Sequence, residues 1–196
     1  DHGLRAESAD EAAQVGQWMK KAGIAHHVLN WIGKKPETHI QELAREARYR
    51  LMSDYCRKND IAYLCLAHHA DDQAETILFR LAKGSGVDGL SGIRPVTIYN
   101  GSLTLLRPLL GVRHHDLILY NKSLGQEWIE DPSNQNNRYA RARIRNSFDI
   151  LEKEGLSTER LCRLADRLQN MTDVVTQLTD NKYKNMLIYN DTKRIE

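Results

Sequence analysis

The chain has 196 residues, of which 41% are hydrophobic and 28% charged, and its formal net charge is +2. This length suits one domain with a sizeable core, and the composition is ordinary for a soluble globular protein. We find no apolar run long enough to span a bilayer and no signal peptide, so neither a membrane nor a secreted protein is predicted. A charge this small neither favours nor excludes a nucleic-acid partner.

The cysteines argue against a metal or dithiol site. Cys56, Cys65 and Cys162 are scattered, and no C-x-x-C pair occurs. Three unpaired cysteines fit a reducing compartment, so we expect a cytoplasmic protein. The first residues, Asp1 to Arg5, lack a methionine and lead directly into a helix signal, so we expect the domain to begin upstream of them.

The first predicted elements are a helix, a strand and a second helix, over residues 8–22, 24–32 and 38–57. Ser8 with Glu11, and Thr38 with Gln41, have capping-box spacing at the two helix starts. Gly23 is the expected end of the first helix.

The clearest strand signal is the continuous apolar run Ile61–Ala67, which predicts a strand buried on both faces, as in a parallel sheet. It passes directly into a polar segment that opens the next helix, with Asp71 or Asp72 as the expected N-cap. Gly84-Ser85-Gly86 is the expected end of that helix.

The second half predicts a hairpin and further helices. Asn100-Gly101 predicts a type I′ turn in a hairpin over residues 96–106, and a helix follows within 109–125. After a turn at 131–134 we predict a basic helix from about 139 to 154, then a long helix capped by Ser157. Helices alternating with strands indicate an open, mostly parallel α/β sheet with crossover helices, which binds ligands at the carboxyl ends of its strands.

That rule draws attention to the acidic segment after the predicted buried strand. Asp72 and Glu75 lie one helical turn apart, and a helix N-terminus favours phosphate. Carboxylates beside a phosphate site suit Mg²⁺, although an N-cap and a surface acid would explain the same residues. Zinc is disfavoured because the adjacent His68 and His69 point to opposite sides of an extended chain.

Several basic residues are candidates for phosphate contacts. Arg48 is either a phosphate clamp or a surface side chain covering the core. A run without acids contains Arg138, Arg141, Arg143 and Arg145. It predicts a solvated helix face, a nucleotide phosphate site or a tRNA backbone contact, and the residues alone leave these open.

These segments resemble a known family in their order along the chain. Asp1–Arg5 resembles the second-strand motif of the N-type ATP pyrophosphatases. Five further segments resemble the tRNA(Ile)-lysidine synthetases in particular: Ala44–Tyr49, Ala67–Thr76, Gly84–Leu90, Arg107–Leu110 and Asp131–Asn134.

The resemblance implies a Rossmann-like fold of the adenine nucleotide alpha hydrolase type. It implies a catalytic domain over 1–155 and a helical linker over 156–196 toward further domains. The implied enzyme uses ATP and Mg²⁺ to adenylate the wobble cytidine of a CAU-anticodon tRNA(Ile). The ε-amine of L-lysine then displaces AMP at C2 to form lysidine. A homodimer is left open.

The resemblance also implies roles for particular residues. Catalysis falls to Asp72, Glu75, Arg48 and His68. Nucleotide binding falls to His2, Arg5, His68 and Asp71, tRNA binding to Arg138, Arg141, Arg143 and Arg145, and Mg²⁺ binding to Asp72 and Glu75. Two features depart from the family: its Ser-Gly-Gly-x-Asp-Ser loop belongs before residue 1, and Ala142 stands where Asn is usual.

Two other functions remain as alternatives. A tRNA thiolase of the same superfamily also adenylates a base, but it delivers sulfur through paired cysteines, which this chain lacks. A tRNA-binding module without catalysis is the alternative from another class.

Overall fold

The computed structural model describes residues 1–33, 35, 36, 38, 40–130 and 140–192. Within these residues the helices are α1 (Ser8–Lys21), α2 (Ile40–Lys58), α3 (Ala70–Ala82), α4 (Val87–Leu90), α5 (His114–Ser123), α6 (Ala140–Asn146), α7 (Phe148–Lys153) and α8 (Thr158–Thr192). The strands are β1 (Tyr63–Cys65), β2 (Val96–Tyr99) and β3 (Leu103–Leu106). None of the described helices is both long and apolar enough to cross a membrane.

The strands form one sheet in the order β1-β3-β2. The amide of Thr104 donates to Ala62 O at 2.9 Å, and that of Leu66 donates to Leu106 O at 2.8 Å. These bonds advance together along both chains, so β1 and β3 run parallel. The predicted hairpin between β2 and β3 is confirmed, because Asn100 and Gly101 have φ of 49° and 73°, as a type I′ turn requires.

The prediction of a strand buried on both faces is wrong. Within the run Ile61–Ala67 only Tyr63–Cys65 is a strand, and its side chains alternate between exposed and half-buried. Tyr63 is 65% exposed. β1 is an edge strand of the described sheet, so an apolar run alone did not identify its environment. No strand is assigned over the predicted 24–32 segment, although the amide of Trp31 donates to Asp1 O at 2.9 Å.

Helix positions were predicted better than helix caps. Ser8 does not cap α1, because Glu7 is the N-cap and the Ser8 hydroxyl donates to Arg5 O at 2.9 Å. The predicted cap of α8 is confirmed, since Ser157 Oγ accepts from the Arg160 amide at 3.4 Å. The predicted basic helix is divided into α6 and α7 around Ser147.

The chain divides into two compact units, residues 1–64 with 98–105 and residues 65–97 with 106–196. In the first unit the buried apolar side chains come from α2 and β3: Ala44, Ala47, Cys56, Leu103 and Leu105. In the second unit α3 and α8 form a core from Ala74, Ile77, Leu78, Leu161 and Ala165. The first turns of the predicted linker helix therefore pack against the helix that carries the acidic segment.

Buried amides hold the loop after α4 in the second unit. Gln73 is 2% exposed, donates to Ile93 O at 2.9 Å and accepts from the Ile93 amide at 2.6 Å. From α8, Gln169 donates to Ser91 O at 2.7 Å. A side chain on Gly92 would overlap Gln73, because an added Cβ would lie 2.5 Å from its Oε1. The loop is thus fixed to α3 and α8 by satisfied buried polar groups.

Candidate functional site

The candidate site begins at the first turn of α3. His69 is the N-cap of α3, and its Nδ1 accepts from the Asp72 amide at 3.3 Å. Asp72 Oδ2 accepts in return from the His69 amide at 3.0 Å. The prediction of Asp71 or Asp72 as N-cap is therefore wrong. His-x-x-Asp has capping-box spacing, and His69 fills the place usually taken by Ser or Thr because a neutral imidazole nitrogen can accept a hydrogen bond.

One turn further along, Glu75 meets an arginine from α6. The Glu75 side chain is 5% exposed, and its Oε1 accepts from Arg145 Nε at 2.6 Å. The hydrogen bond that Arg145 donates to Glu75 outweighs partial burial and raises the pKa of Arg145, and the charges of Glu75, Asp72 and Asp71 act in the same direction. A buried carboxylate needs such a partner. The structure thus brings together an acid and an arginine that the sequence assigned to different tasks.

Asp71, in the first turn of α3, is bound by protein groups from two other helices. Its Oδ1 accepts from Arg113 Nε at 3.1 Å and from Thr158 Oγ1 at 3.2 Å. Its Oδ2 accepts from the His114 amide at 2.7 Å. Burial would raise the pKa of Asp71, but the hydrogen bond from the His114 amide and the charge of Arg113 outweigh burial and lower it.

Sequence reasoning missed two of these partners, Arg113 and Thr158. Arg113 is the N-cap residue of α5 and also forms an ion pair with Glu159. A cation at a helix N-terminus is electrostatically unfavourable, and this misplacement was the available sign of an acidic partner. Thr158 gave no comparable sign, because threonine is ordinary at the start of a helix.

His68 immediately precedes the N-cap of α3 and is half-buried. His69 follows it in the sequence, and the centroid of the His69 ring lies 5.0 Å from that of His114. Among the described residues no group of three or more His, Cys, Asp or Glu side chains could hold a metal ion.

The other predicted nucleotide residues lie in the first unit. Burial lowers the pKa of His2, and the charges of Arg48 and Lys35 lower it further. Arg5 forms an ion pair with Glu11 at 2.8 Å, and the Arg48 residue is exposed.

A cavity of about 530 Å³ opens in the same unit. It is lined by Trp31, Lys35, Pro36, Leu43, Glu46, Ala47 and Arg50. The Lys35 ammonium lies 4.4 Å from the centre of the Trp31 ring, and the His2 ring meets Trp31 edge-on at 6.0 Å. The cavity has the size of a small-molecule site, with an aromatic wall and two cations.

The family of the chain follows from a sequence profile. Residues 1–151 match the profile of the PP-loop domain. The chain belongs to the PP-loop domain family. This ATP-utilising family agrees with the resemblance to N-type ATP pyrophosphatases.

Individual proteins are more closely similar to this PP-loop domain than the family profile alone indicates. It is 46% identical over 169 residues to the tRNA(Ile)-lysidine synthase of Methylobacterium nodulans. The aligned region covers 86% of this chain and 50% of the relative. It is 37% identical over 197 aligned positions to the tRNA(Ile)-lysidine synthase of Wolbachia pipientis wMel. This alignment covers 100% of this chain and 46% of the relative. The chain thus spans about half the length of these curated relatives.

A solved structure supports the fold. The PP-loop domain superposes on the U34-tRNA thiolase NcsA from Methanococcus maripaludis, which carries a [4Fe-4S] cluster, with a TM-score of 0.69 and 15% identity. The match covers 86% of this chain and 60% of the thiolase. The predicted Rossmann-like α/β fold of the adenine nucleotide alpha hydrolase type is confirmed, and identity this low carries nothing beyond the fold.

The predicted tRNA-binding segment of the PP-loop domain is only partly described. Arg138 and the turn at 131–134 lie outside the described residues, and Arg141 belongs to α6. Arg143 is exposed, whereas Arg145 is engaged by Glu75. Ala142, which departs from the family pattern, is 7% exposed, so its methyl group occupies a buried position of α6.

Proposed function

We propose that this chain is the ATP-dependent part of an enzyme that ligates lysine to C2 of the wobble cytidine in CAU-anticodon tRNA(Ile), through an adenylated cytidine. The observation that carries the proposal is the 46% identity, over 86% of the chain, to a relative named tRNA(Ile)-lysidine synthase. The helix start that carries Asp72 and Glu75 supplies groups that suit this chemistry.

Arg145 suits the adenylation step. Transfer of AMP leaves negative charge on the departing pyrophosphate, and preorganised cations stabilise such charge most effectively. Glu75 holds the Arg145 guanidinium at 2.6 Å, and 43% of the arginine side chain stays exposed for a substrate. We assign the same task to Arg48 in the first unit, and nucleotide binding to His2, Arg5 and His68.

Asp72 and Glu75 differ in what they can reach. The Asp72 side chain is 24% exposed and that of Glu75 is 5% exposed. Only the neutral lysine amine attacks C2, so a reachable carboxylate that accepts its proton would assist the second step. We assign that contact to Asp72 and assign to Glu75 the orientation of Arg145.

We also assign Mg²⁺ binding to Asp72 and Glu75, as the family resemblance implies. Mg²⁺ is usually held by one or two carboxylates together with substrate phosphates and water. In the described part of the chain each acid accepts a protein hydrogen bond at one oxygen, Asp72 Oδ2 from the His69 amide and Glu75 Oε1 from Arg145 Nε. When bound, the ion would neutralise charge on the phosphates.

The remaining assignments concern the substrates. We assign tRNA backbone contacts to Arg138, Arg141 and Arg143, whose run contains no acid. L-lysine as co-substrate, the cytoplasm as location and a homodimer stay predictions.

The test is incorporation of labelled lysine into CAU-anticodon tRNA(Ile) by the full-length protein with ATP and Mg²⁺. We expect label in this tRNA and none in tRNA(Met). Asp72→Asn should lower kcat by about 10²–10⁴-fold. The exposed acid Asp88 provides the matched control, Asp88→Asn, which should stay near wild type.

Two results would contradict the proposal at different levels. Near-normal activity of Asp72→Asn would contradict the role assigned to Asp72, and the proposed reaction would still stand. Wild-type protein that binds the tRNA but transfers no lysine would remove the reaction. A sulfur-transfer assay would then test the thiolase, for which Cys56, Cys65 and Cys162, all free thiols, offer no disulfide.

A further inference from the structure

We propose that Asp71 is a positioning residue: its carboxylate joins the first turn of α3 to the starts of α5 and α8 and thereby holds Asp72 and Glu75 in their working orientation. This inference deepens the proposed function and rests on it. We call the contacts among Asp71, Arg113, His114 and Thr158 the carboxylate junction.

The junction uses both oxygens of Asp71. Arg113 and Thr158 donate to Oδ1 at 3.1 and 3.2 Å, and the His114 amide donates to Oδ2 at 2.7 Å. These donors are 42, 87 and 43 residues away from Asp71 in the chain. One side chain therefore connects three helices that the sequence keeps far apart.

Three helix N-termini meet at this carboxylate. Asp71 lies in the first turn of α3, His114 is the first residue of α5 and Thr158 the first of α8. Each N-terminus presents partial positive charge, so a single negative charge at their meeting point stabilises all three.

Further contacts at the same place make the junction rigid. Thr158 is 1% exposed, so its hydroxyl has little access to water as an alternative partner. The Ala70 amide donates to Val112 O at 2.9 Å, and Cys162 Sγ donates to Ala70 O at 3.5 Å. Burial of a hydroxyl is tolerated when it is hydrogen-bonded, and here the bond goes to Asp71.

The same contacts argue against direct nucleotide binding by Asp71. Both oxygens of Asp71 already accept from protein donors, so a phosphate group, which also offers only acceptors, finds no donor here. A metal ion would have to displace protein donors from both oxygens. By contrast, Asp72 and Glu75 each engage one oxygen in the described residues.

The effect on catalysis follows from the position of Asp71 beside Asp72. A change in the angle of the first turn of α3 would move Asp72 and, through Glu75, the Arg145 guanidinium. A displacement of about 1 Å at a reacting group can slow a reaction by about 10²-fold without loss of binding. Loosening the junction should therefore lower kcat and leave KM for ATP nearly unchanged.

The experiment compares variants of the full-length protein in the lysine-incorporation assay. Thr158→Val keeps the shape of the side chain and removes the hydroxyl, and Thr158→Ser restores a hydroxyl. Asp71→Asn removes the charge. The matched control is Thr179→Val, since Thr179 lies on the exposed part of α8 and its hydroxyl donates within its own helix, to Val175 O at 2.8 Å.

We expect Thr158→Val and Asp71→Asn each to lower kcat by about tenfold, with KM for ATP within about twofold of wild type. The double variant should lose about tenfold rather than about a hundredfold, because residues that act as one unit are not additive. Thr158→Ser should recover most of the activity, and Thr179→Val should match wild type. Circular dichroism must show that each variant is folded.

Two outcomes would overturn the inference. The first is a large rise in KM for ATP in Asp71→Asn together with wild-type kinetics in Thr158→Val, which would make Asp71 a nucleotide ligand. The second is wild-type kinetics in both variants.

A wild-type protein that makes no lysidine would instead contradict the proposed function. Amide hydrogen exchange at Asp72 then decides about the junction. Faster exchange in Thr158→Val and Asp71→Asn, with no change in Thr179→Val, supports it, and unchanged exchange in all three variants overturns it.

Discussion

Replacing Gly92 by alanine should destabilise the second unit far more than its backbone conformation alone explains. Gly92 has φ of 73°, and an added Cβ would lie 2.5 Å from the Oε1 of Gln73. Gly84 offers a matched comparison in the same unit, because it has the same φ of 73° and no atom within 4 Å of an added Cβ. The difference between the two variants in free energy of unfolding therefore measures the cost of the overlap with the buried Gln73.

The expected size follows from two contributions. An alanine in the left-handed region costs about 1–2 kcal/mol, and this applies at both glycines. At Gly92 the Gln73 side chain must also move, which breaks its two bonds to Ile93. Each buried polar group left without a partner costs about 1–3 kcal/mol. With two such groups in addition to the backbone cost, we expect a loss of about 3–8 kcal/mol for Gly92→Ala and about 1–2 kcal/mol for Gly84→Ala.

Urea unfolding followed by circular dichroism measures both changes. The slope should stay constant, so that the shift in midpoint reports the free energy of unfolding. On a Gln73→Ala background the overlap disappears, and Gly92→Ala should then cost no more than Gly84→Ala. Equal losses for the two glycine variants in the wild-type background would refute the reasoning.

Three further predictions concern the core, the thiols and the acid stability. Leu161→Ala should cost about 2–5 kcal/mol in thermal or urea unfolding, because Leu161 is 3% exposed, whereas Leu164→Ala, at a position 42% exposed, should cost much less. Burial raises the pKa of the Cys162 thiol to about 11, so iodoacetamide at neutral pH should label the exposed Cys65 first, as read by peptide mass mapping; equal labelling would contradict this. Because the pKa of Asp71 is lowered in the folded protein, its stabilising effect is present above its ordinary pKa and lost as the pH falls; the stability of Asp71→Asn should therefore fall less steeply than that of wild type between about pH 5 and 3.

Local signals in the sequence predicted local structure well. The Asn100-Gly101 turn and the Ser157 cap were correct because each depends on a few neighbouring residues. The environment of the run Ile61–Ala67 was wrong, since exposure is decided by neighbouring strands rather than by the run itself.

In the candidate site, too, features that depend on neighbouring residues were predicted and contacts between distant residues were not. The segment that carries Asp72 and Glu75 was recognised because its residue types and spacing are local features. The pairing of Glu75 with Arg145 spans 70 residues, and that of Asp71 with Thr158 spans 87. No periodicity within one helix reports such a contact. Only the unfavourable position of Arg113 at a helix N-terminus hinted that a distant acid was needed.

The long separation between Asp71 and Thr158 has a consequence for synthesis on the ribosome. Translation adds about 5–20 residues per second, so the 87 residues between them take roughly 4–17 s to make. During that interval α3 lacks the apolar cover that Leu161 and Ala165 provide. The nascent chain therefore exposes the apolar face of α3 until α8 has been synthesised, and this face is a binding site for a chaperone that recognises apolar segments.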